Sequence, residues 1–203
     1  MAPHPEWIDA DAPDEAQIAR AVALLEGGQL VVFPTDTVYG VAAHPDRPEA
    51  VAQLYALKQR PTDQPIARLA GDACQVEDAE PEAWSRGAEA LAAAWWPGAL
   101  TLVLPYRGGT MGWRVPDHGV PRAIARAVGQ PLVVTSANPH GSRDATDAAT
   151  AAAYFPIGVD CILDSGPSPV QVPSTVTSLL ASTPQVLREG VVTRKMIEET
   201  WVY

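Results

Sequence analysis

Cysteine is scarce in this chain, and so is lysine. The only cysteines in 203 residues are Cys74 and Cys161, and neither belongs to a Cys-x-x-Cys pair. A disulfide framework or a thiolate metal knuckle is therefore excluded, and two buried thiols in a reducing cytosol are expected. Lys58 and Lys195 are the only lysines among 14 basic residues; 24 acidic residues bring the formal net charge to −10. So acidic a chain repels polyphosphate overall, which counts against non-specific nucleic-acid binding. No run of about 18 apolar residues exists to span a membrane as a helix. The opening Met-Ala-Pro-His-Pro-Glu has no basic region and no apolar core, so it is no secretory signal and a cytoplasmic location is expected.

The familiar site signatures are missing too. There is no Gly-x-x-x-x-Gly-Lys-Ser/Thr phosphate loop, no Gly-x-Gly-x-x-Gly and no Gly-x-Ser-x-Gly elbow. His4, His44, His118 and His140 have no metal-ligand spacing and read as loop or turn histidines. Covalent and metallohydrolase chemistry therefore rank low.

What is present is an apolar fraction of 47%, enough for one α/β domain with a full core. Residues 1–13, rich in Pro and Asp, read as an extended lead-in. Asp14 and Gln17 form a capping-box pair, and Ile18, Ala21, Val22 and Leu25 line one face of the helix that follows, up to Gly27-Gly28. Leu30 to Phe33 is an apolar strand buried on both faces, which Pro34 stops. Thr35, Asp36 and Thr37 then crowd its end, where α/β proteins place ligands. Asp46 and Pro48 start a second helix that should end at Arg60, since Pro61 disfavours the α conformation in its predecessor.

Further strands are expected over 64–70, 99–104, 113–115, 131–135, 159–163, 174–180 and 185–187. Helices are expected over 71–96, broken at Pro81, and over 120–128 and 146–155, with a short one from Val192. The stretch before Thr135-Ser136 echoes the stretch before Thr35. In both, a helix stops at Gly and a buried strand delivers hydroxyls. The echo suggests two neighbouring strands pointing into one crevice.

Several polar residues stand out against this frame. Lys58 and Arg60 lie at a helix end, where a cation can serve a ligand or simply complement the dipole. Arg114, between Trp113 and Val115, must find an anionic partner, either a protein carboxylate or a substrate. Arg188 precedes Glu189 and could pair with it. Thr135, Ser136, Asn138 and Ser174 can bind anionic oxygens or cap turns.

Order and combination give these fragments their meaning. Pro34-Thr-Asp-Thr-Val-Tyr-Gly40, Lys58-x-Arg60-Pro61, Trp96-Pro-Gly-x-Leu-Thr101, Arg114-Val-Pro-Asp-His118, Thr135-Ser-Ala-Asn138, Pro173-Ser-Thr-Val176 and Leu187-Arg-Glu-Gly190 together resemble the YrdC family. The resemblance runs over residues 14–191, with the last twelve residues left as a short C-terminal helix. It implies a single-domain α/β fold, a twisted mixed sheet with flanking helices and a deep basic concavity. By the same resemblance, the additional C-terminal domain of longer relatives is not expected here.

Members with the Lys-x-Arg and Ser-x-Asn pairs make threonylcarbamoyl-adenylate and pyrophosphate from L-threonine, bicarbonate and ATP. A separate transferase complex then modifies tRNA. Carried over by position, Lys58 and Arg60 are implied as catalytic, and with Gln64, Ser136, Asn138 and Arg188 as ATP-binding. Thr35, Thr37, Arg114, Thr135 and Ser174 are implied to hold threonine. Mg²⁺ is implied with ATP and without a dedicated protein cage, and tRNA contact is possible but not required. Departures occur at Gln64, Leu69 and His140, where relatives carry Asn, His and Ser. The competing expectation is a nucleotide- or RNA-binding relative without adenylate-forming activity, which the intact Lys58-x-Arg60 pair counts against.

Overall fold

Asp14 caps the first helix as its side chain suggests: its carboxylate accepts from the Gln17 amide at 2.8 Å, and Gln17 returns the bond to the Asp14 amide at 3.0 Å. The computed structural model describes residues 4–11, 14–79, 81–82 and 84–202. Strands are β1 (Glu6–Asp9), β2 (Val31–Phe33), β3 (Gly40–Ala43), β4 (Arg68–Leu69), β5 (Leu100–Tyr106), β6 (Gly109–Arg114), β7 (Leu132–Ser136), β8 (Cys161–Asp164), β9 (Thr175–Ser178) and β10 (Gln185–Arg188). Helices are α1 (Glu15–Glu26), α2 (Pro48–Lys58), α3 (Ala73–Asp78), α4 (Arg86–Trp95), α5 (Gly119–Val128), α6 (Ala148–Tyr154) and α7 (Arg194–Thr200).

The strands form one mixed sheet in the order β1-β8-β2-β3-β7-β4-β6-β5-β9-β10. Helices cover it through three apolar clusters: one around α1 and α5, one around α2 and α6, and one around α4 and α7. Val31, Val32 and Phe33 are all fully buried, as the unbroken apolar run requires.

β2 and β7, the two echoing strands, are not neighbours. β3 lies between them, antiparallel to both, so the two run the same way and end on the same side. Their hydroxyl-bearing ends still meet at one cavity.

Several expectations need correction. The lead-in holds an edge strand: β1 runs parallel to β8, with the Glu6 amide donating to the Asp160 carbonyl at 2.9 Å. Residues 1–3 and 12–13 lie outside the described residues. The 64–70 strand shrinks to two residues. Pro65 has no N–H to give, and the carbonyls of Gln64 and Pro65 are taken by the Arg60 guanidinium at 3.0 and 3.1 Å. α2 ends at Lys58, because Gln59 turns left-handed at φ 51°. Its N-cap is Arg47, not Asp46, and no side chain caps it.

Arg107 and Gly108, both at positive φ, make the turn of a β5–β6 hairpin, and Gly109 already pairs with Tyr106. Cys161 is buried, its thiol pushed up to about 12 by burial, whereas Cys74 is exposed. α7 seats Ile197 in the same apolar cluster as Leu91 and Trp113. Among the described residues no helix is long and apolar enough to cross a membrane.

Candidate active site

Where Pro34 stops β2, the chain makes a tight polar loop organised by one hydroxyl. Thr35 Oγ1 donates to the Val38 carbonyl at 2.7 Å and accepts from the amides of Thr37 and Val38 at 3.1 and 3.2 Å. Its single proton is thereby used on the Val38 carbonyl, with Thr37 Oγ1 a further 3.0 Å neighbour. Thr37 Oγ1 in turn accepts from Arg114 Nη1 at 2.7 Å. Arg114, Thr37, Thr35 and the Val38 carbonyl thus form one contiguous polar row. Thr35 has no donor left for a ligand and acts as the keystone of the loop.

Arg114 ends β6. Its Nε donates to the Gly98 carbonyl at 3.0 Å and its Nη2 to Asp36 Oδ1 at 2.6 Å. Both partners of this ion pair are buried, with side chains 11% and 8% exposed. Burial pulls the guanidinium below the usual arginine range, and the Asp36 carboxylate opposes that pull. The anion demanded by an arginine among apolar neighbours is thus a protein carboxylate. Among the described residues three of the five N–H groups are used, which leaves two on a residue that still lines the cavity.

On the opposite wall, α2 delivers Lys58 to the end of β7. Its ammonium donates to the Ser136 carbonyl at 2.6 Å and to the Asn138 carbonyl, with Ser136 Oγ and Asn138 Oδ1 at 3.4 and 3.3 Å. Burial lowers its pKa to about 8; Asp144 works against that shift and Arg60 adds to it. Asn138 shapes the following loop by donating to the Ser142 carbonyl at 2.8 Å.

The third wall comes from β5, β9 and β10. Thr101 Oγ1 and Ser174 Oγ are 2.8 Å apart, and Arg188 donates to the Ser174 carbonyl from Nε and Nη2 at 3.1 and 2.9 Å. Burial lowers the Arg188 pKa, with Asp144 again opposing.

These walls enclose a cavity of about 550 Å³, a size suited to a small-molecule site. Among the described residues its lining includes the cations Lys58, Arg60, Arg68, Arg114 and Arg188 and a single carboxylate, Asp144. A chain of net charge −10 thus keeps a locally basic hollow, which focuses anionic ligands.

Of the residues singled out from sequence, Thr35, Thr37, Lys58, Arg60, Arg114, Thr135, Ser136, Asn138, Ser174 and Arg188 all line this cavity. Gln64 does not. Its side chain is exposed, and only its carbonyl serves the site, as an acceptor for Arg60 and for the Tyr55 hydroxyl. Sequence reasoning passed over Arg68 and Asp144; it placed Asp36 in the polar cluster after β2 and Thr101 in a motif, without giving either a role of its own. Thr101 carried a signal, a threonine inside an apolar strand; Asp144 carried none, since it sits in a run of ordinary loop residues.

Residues 23–190 match the Sua5/YciO/YrdC family model, whose description is telomere recombination. The chain is 36% identical over 201 residues to a threonylcarbamoyl-AMP synthase of Bacillus subtilis, across 94% of this chain and 58% of that one. It is 36% identical over 177 residues to a threonylcarbamoyl-AMP synthase of Chromohalobacter salexigens, across 80% of this chain and 92% of the relative. The crystal structure of P. abyssi Sua5 complexed with L-threonine aligns at a TM-score of 0.89 and 32% identity, over 96% of this chain and 60% of that one. The chain thus spans less than two thirds of the Bacillus and P. abyssi proteins and nearly all of the Chromohalobacter one. On the family match and these identities, the chain belongs to the Sua5/YciO/YrdC family.

Proposed function

We propose that this protein makes L-threonylcarbamoyl-adenylate and pyrophosphate from L-threonine, bicarbonate and ATP. The observation that carries the reading is the cavity's division of labour. One side gathers Lys58 and Arg60 beside the Ser136–Asn138 segment, and the other gathers Arg114 and Thr37 beside Thr101 and Ser174. The first suits a triphosphate and the second a small amino acid, its carboxylate on the two free N–H groups of Arg114. Relatives named for this synthase, and one solved with L-threonine, support the same reading.

In this chemistry the threonine amine takes up bicarbonate with loss of water and becomes a carbamate. A carbamate oxygen then attacks the α-phosphorus, the bond to the β-phosphate bridge breaks, and pyrophosphate leaves. No covalent intermediate with the protein is needed. The protein's part is to align the reactants and to stabilise charge on the phosphates. Lys58, Arg60 and Arg188 supply fixed positive charge, while Ser136 and Asn138 hold the nucleotide wall in shape. Mg²⁺ enters with ATP as part of the substrate. The adenylate passes to a transferase that modifies tRNA; the protein itself need not hold tRNA.

Mass spectrometry of a reaction with ATP, Mg²⁺, bicarbonate and threonine tests this. Pyrophosphate release should require threonine and bicarbonate together, and the adenylate should appear at the expected mass. ATP consumption unchanged by omitting either co-substrate would remove the proposal.

A further inference from the structure

Among the described residues, Asp144 is the only carboxylate lining a cavity that also presents five cations. Among the described residues its side chain accepts no hydrogen bond and forms no ion pair within 4 Å. The nearby cations are engaged elsewhere, Lys58 on the carbonyls of Ser136 and Asn138 and Arg188 on that of Ser174. Its charge nevertheless acts on both Lys58 and Arg188, one from each of two walls. A carboxylate retained only to neutralise a buried cation would be expected in direct contact with it, as Asp36 is with Arg114.

The backbone at this point is also firmly held. The next residue, Ala145, is fully buried and its carbonyl accepts from the Tyr39 amide at 2.8 Å. Thr146 follows, and its carbonyl accepts from the Ser168 amide at 2.8 Å. The half-buried Asp144 thus adjoins a segment held by backbone bonds from Tyr39 and Ser168, and among the described residues its carboxylate oxygens are left open.

We infer that Asp144 supplies the protein's carboxylate to the divalent cation that accompanies the nucleotide in this cavity. The inference rests on the proposed use of ATP. Mg²⁺ keeps several waters and typically takes one or two carboxylates, completing its shell with substrate phosphates. One open carboxylate among phosphate-binding cations meets that need.

Titration calorimetry with a non-hydrolysable ATP analogue tests this, run once with excess Mg²⁺ and once with a chelator, on wild type and Asp144→Asn. A cation-binding carboxylate makes the two experiments diverge. The free analogue should bind the variant more tightly, because a like charge has gone, and the Mg²⁺ complex should bind it more weakly. The advantage that Mg²⁺ confers on binding should fall by something on the order of tenfold. Asp144→Glu, which keeps the charge, should retain most of it.

If Asp144→Asn tightens both forms alike, Asp144 is only a counter-charge and the inference is wrong. If it weakens both alike, the residue is only structural and the inference is equally wrong. Wild type that binds the analogue in neither condition overturns the use of ATP itself, an outcome distinct from both.

Discussion

Arg114, in the wall of the cavity, meets Asp36 at 2.6 Å, 78 residues away in sequence, and each is almost wholly withdrawn from water. The arginine is therefore held as a fork before any substrate arrives, with Thr37 and the Gly98 carbonyl on its other nitrogens. Removing one half of such a pair strands the other as a buried charge. Both Asp36→Ala and Arg114→Met should lower stability by about 3–5 kcal/mol. The double variant should cost less than the sum of the two, as chemical denaturation would measure. Additive losses would mean that the two residues do not depend on one another.

The Thr35 hydroxyl predicts a separation of stability from binding. Thr35→Val strands two buried amides and a carbonyl and should cost about 1–3 kcal/mol. Thr37→Val removes the acceptor that faces Arg114 Nη1 and should weaken threonine binding by more than it lowers the melting temperature. Calorimetric titration of threonine beside a thermal melt distinguishes the pair. Equal binding losses in both variants would deny Thr35 its purely structural part.

Lys58 gives a pH dependence whose sign can be worked out. Its folded pKa, about 8, lies below its ordinary value of 10.5. Below pH 8 the ammonium is charged and attracts phosphate; as pH rises through 8 the charge is lost. ATP affinity should therefore hold from pH 6.5 to about 8 and then fall, by at most about tenfold per pH unit for one proton.

Stability moves the other way. Between pH 8 and 10.5 unfolding takes up a proton at Lys58, so this residue alone raises stability as pH rises across that window. Lys58→Arg should carry the affinity plateau to higher pH. A wild-type affinity that stays flat to pH 9.5 would show that this ammonium does not serve the phosphates.

Gly190 lies behind the third wall. A Cβ there would press on the Pro173 carbonyl and sit 3.0 Å from the Thr175 amide, both backbone atoms unable to swing aside. Gly190→Ala should therefore shift the Pro173–Ser174 segment and with it the carbonyl that receives Arg188. KM for threonine should rise severalfold with the fold retained. Unchanged kinetics would mean that the segment yields without disturbing the site.

Local chemistry made much of this protein legible in its sequence. Asp14 and Gln17 cap α1 because their side chains reach backbone three residues away, and that needs no tertiary partner. β2 could be read from its buried apolar run, and its end from Pro34, for equally local reasons. The motif order marked ten residues that do line one cavity. Neither composition nor spacing could bring Asp36 against Arg114, leave Asp144 open between Lys58 and Arg188, or turn Gln64 outward. Those outcomes depend on which strands become neighbours, and β3 inserted between β2 and β7 shows how little of that is written locally. Long-range pairing places charges from distant segments within a few ångströms, and burial then decides which become paired, which shift in pKa and which stay open for a ligand.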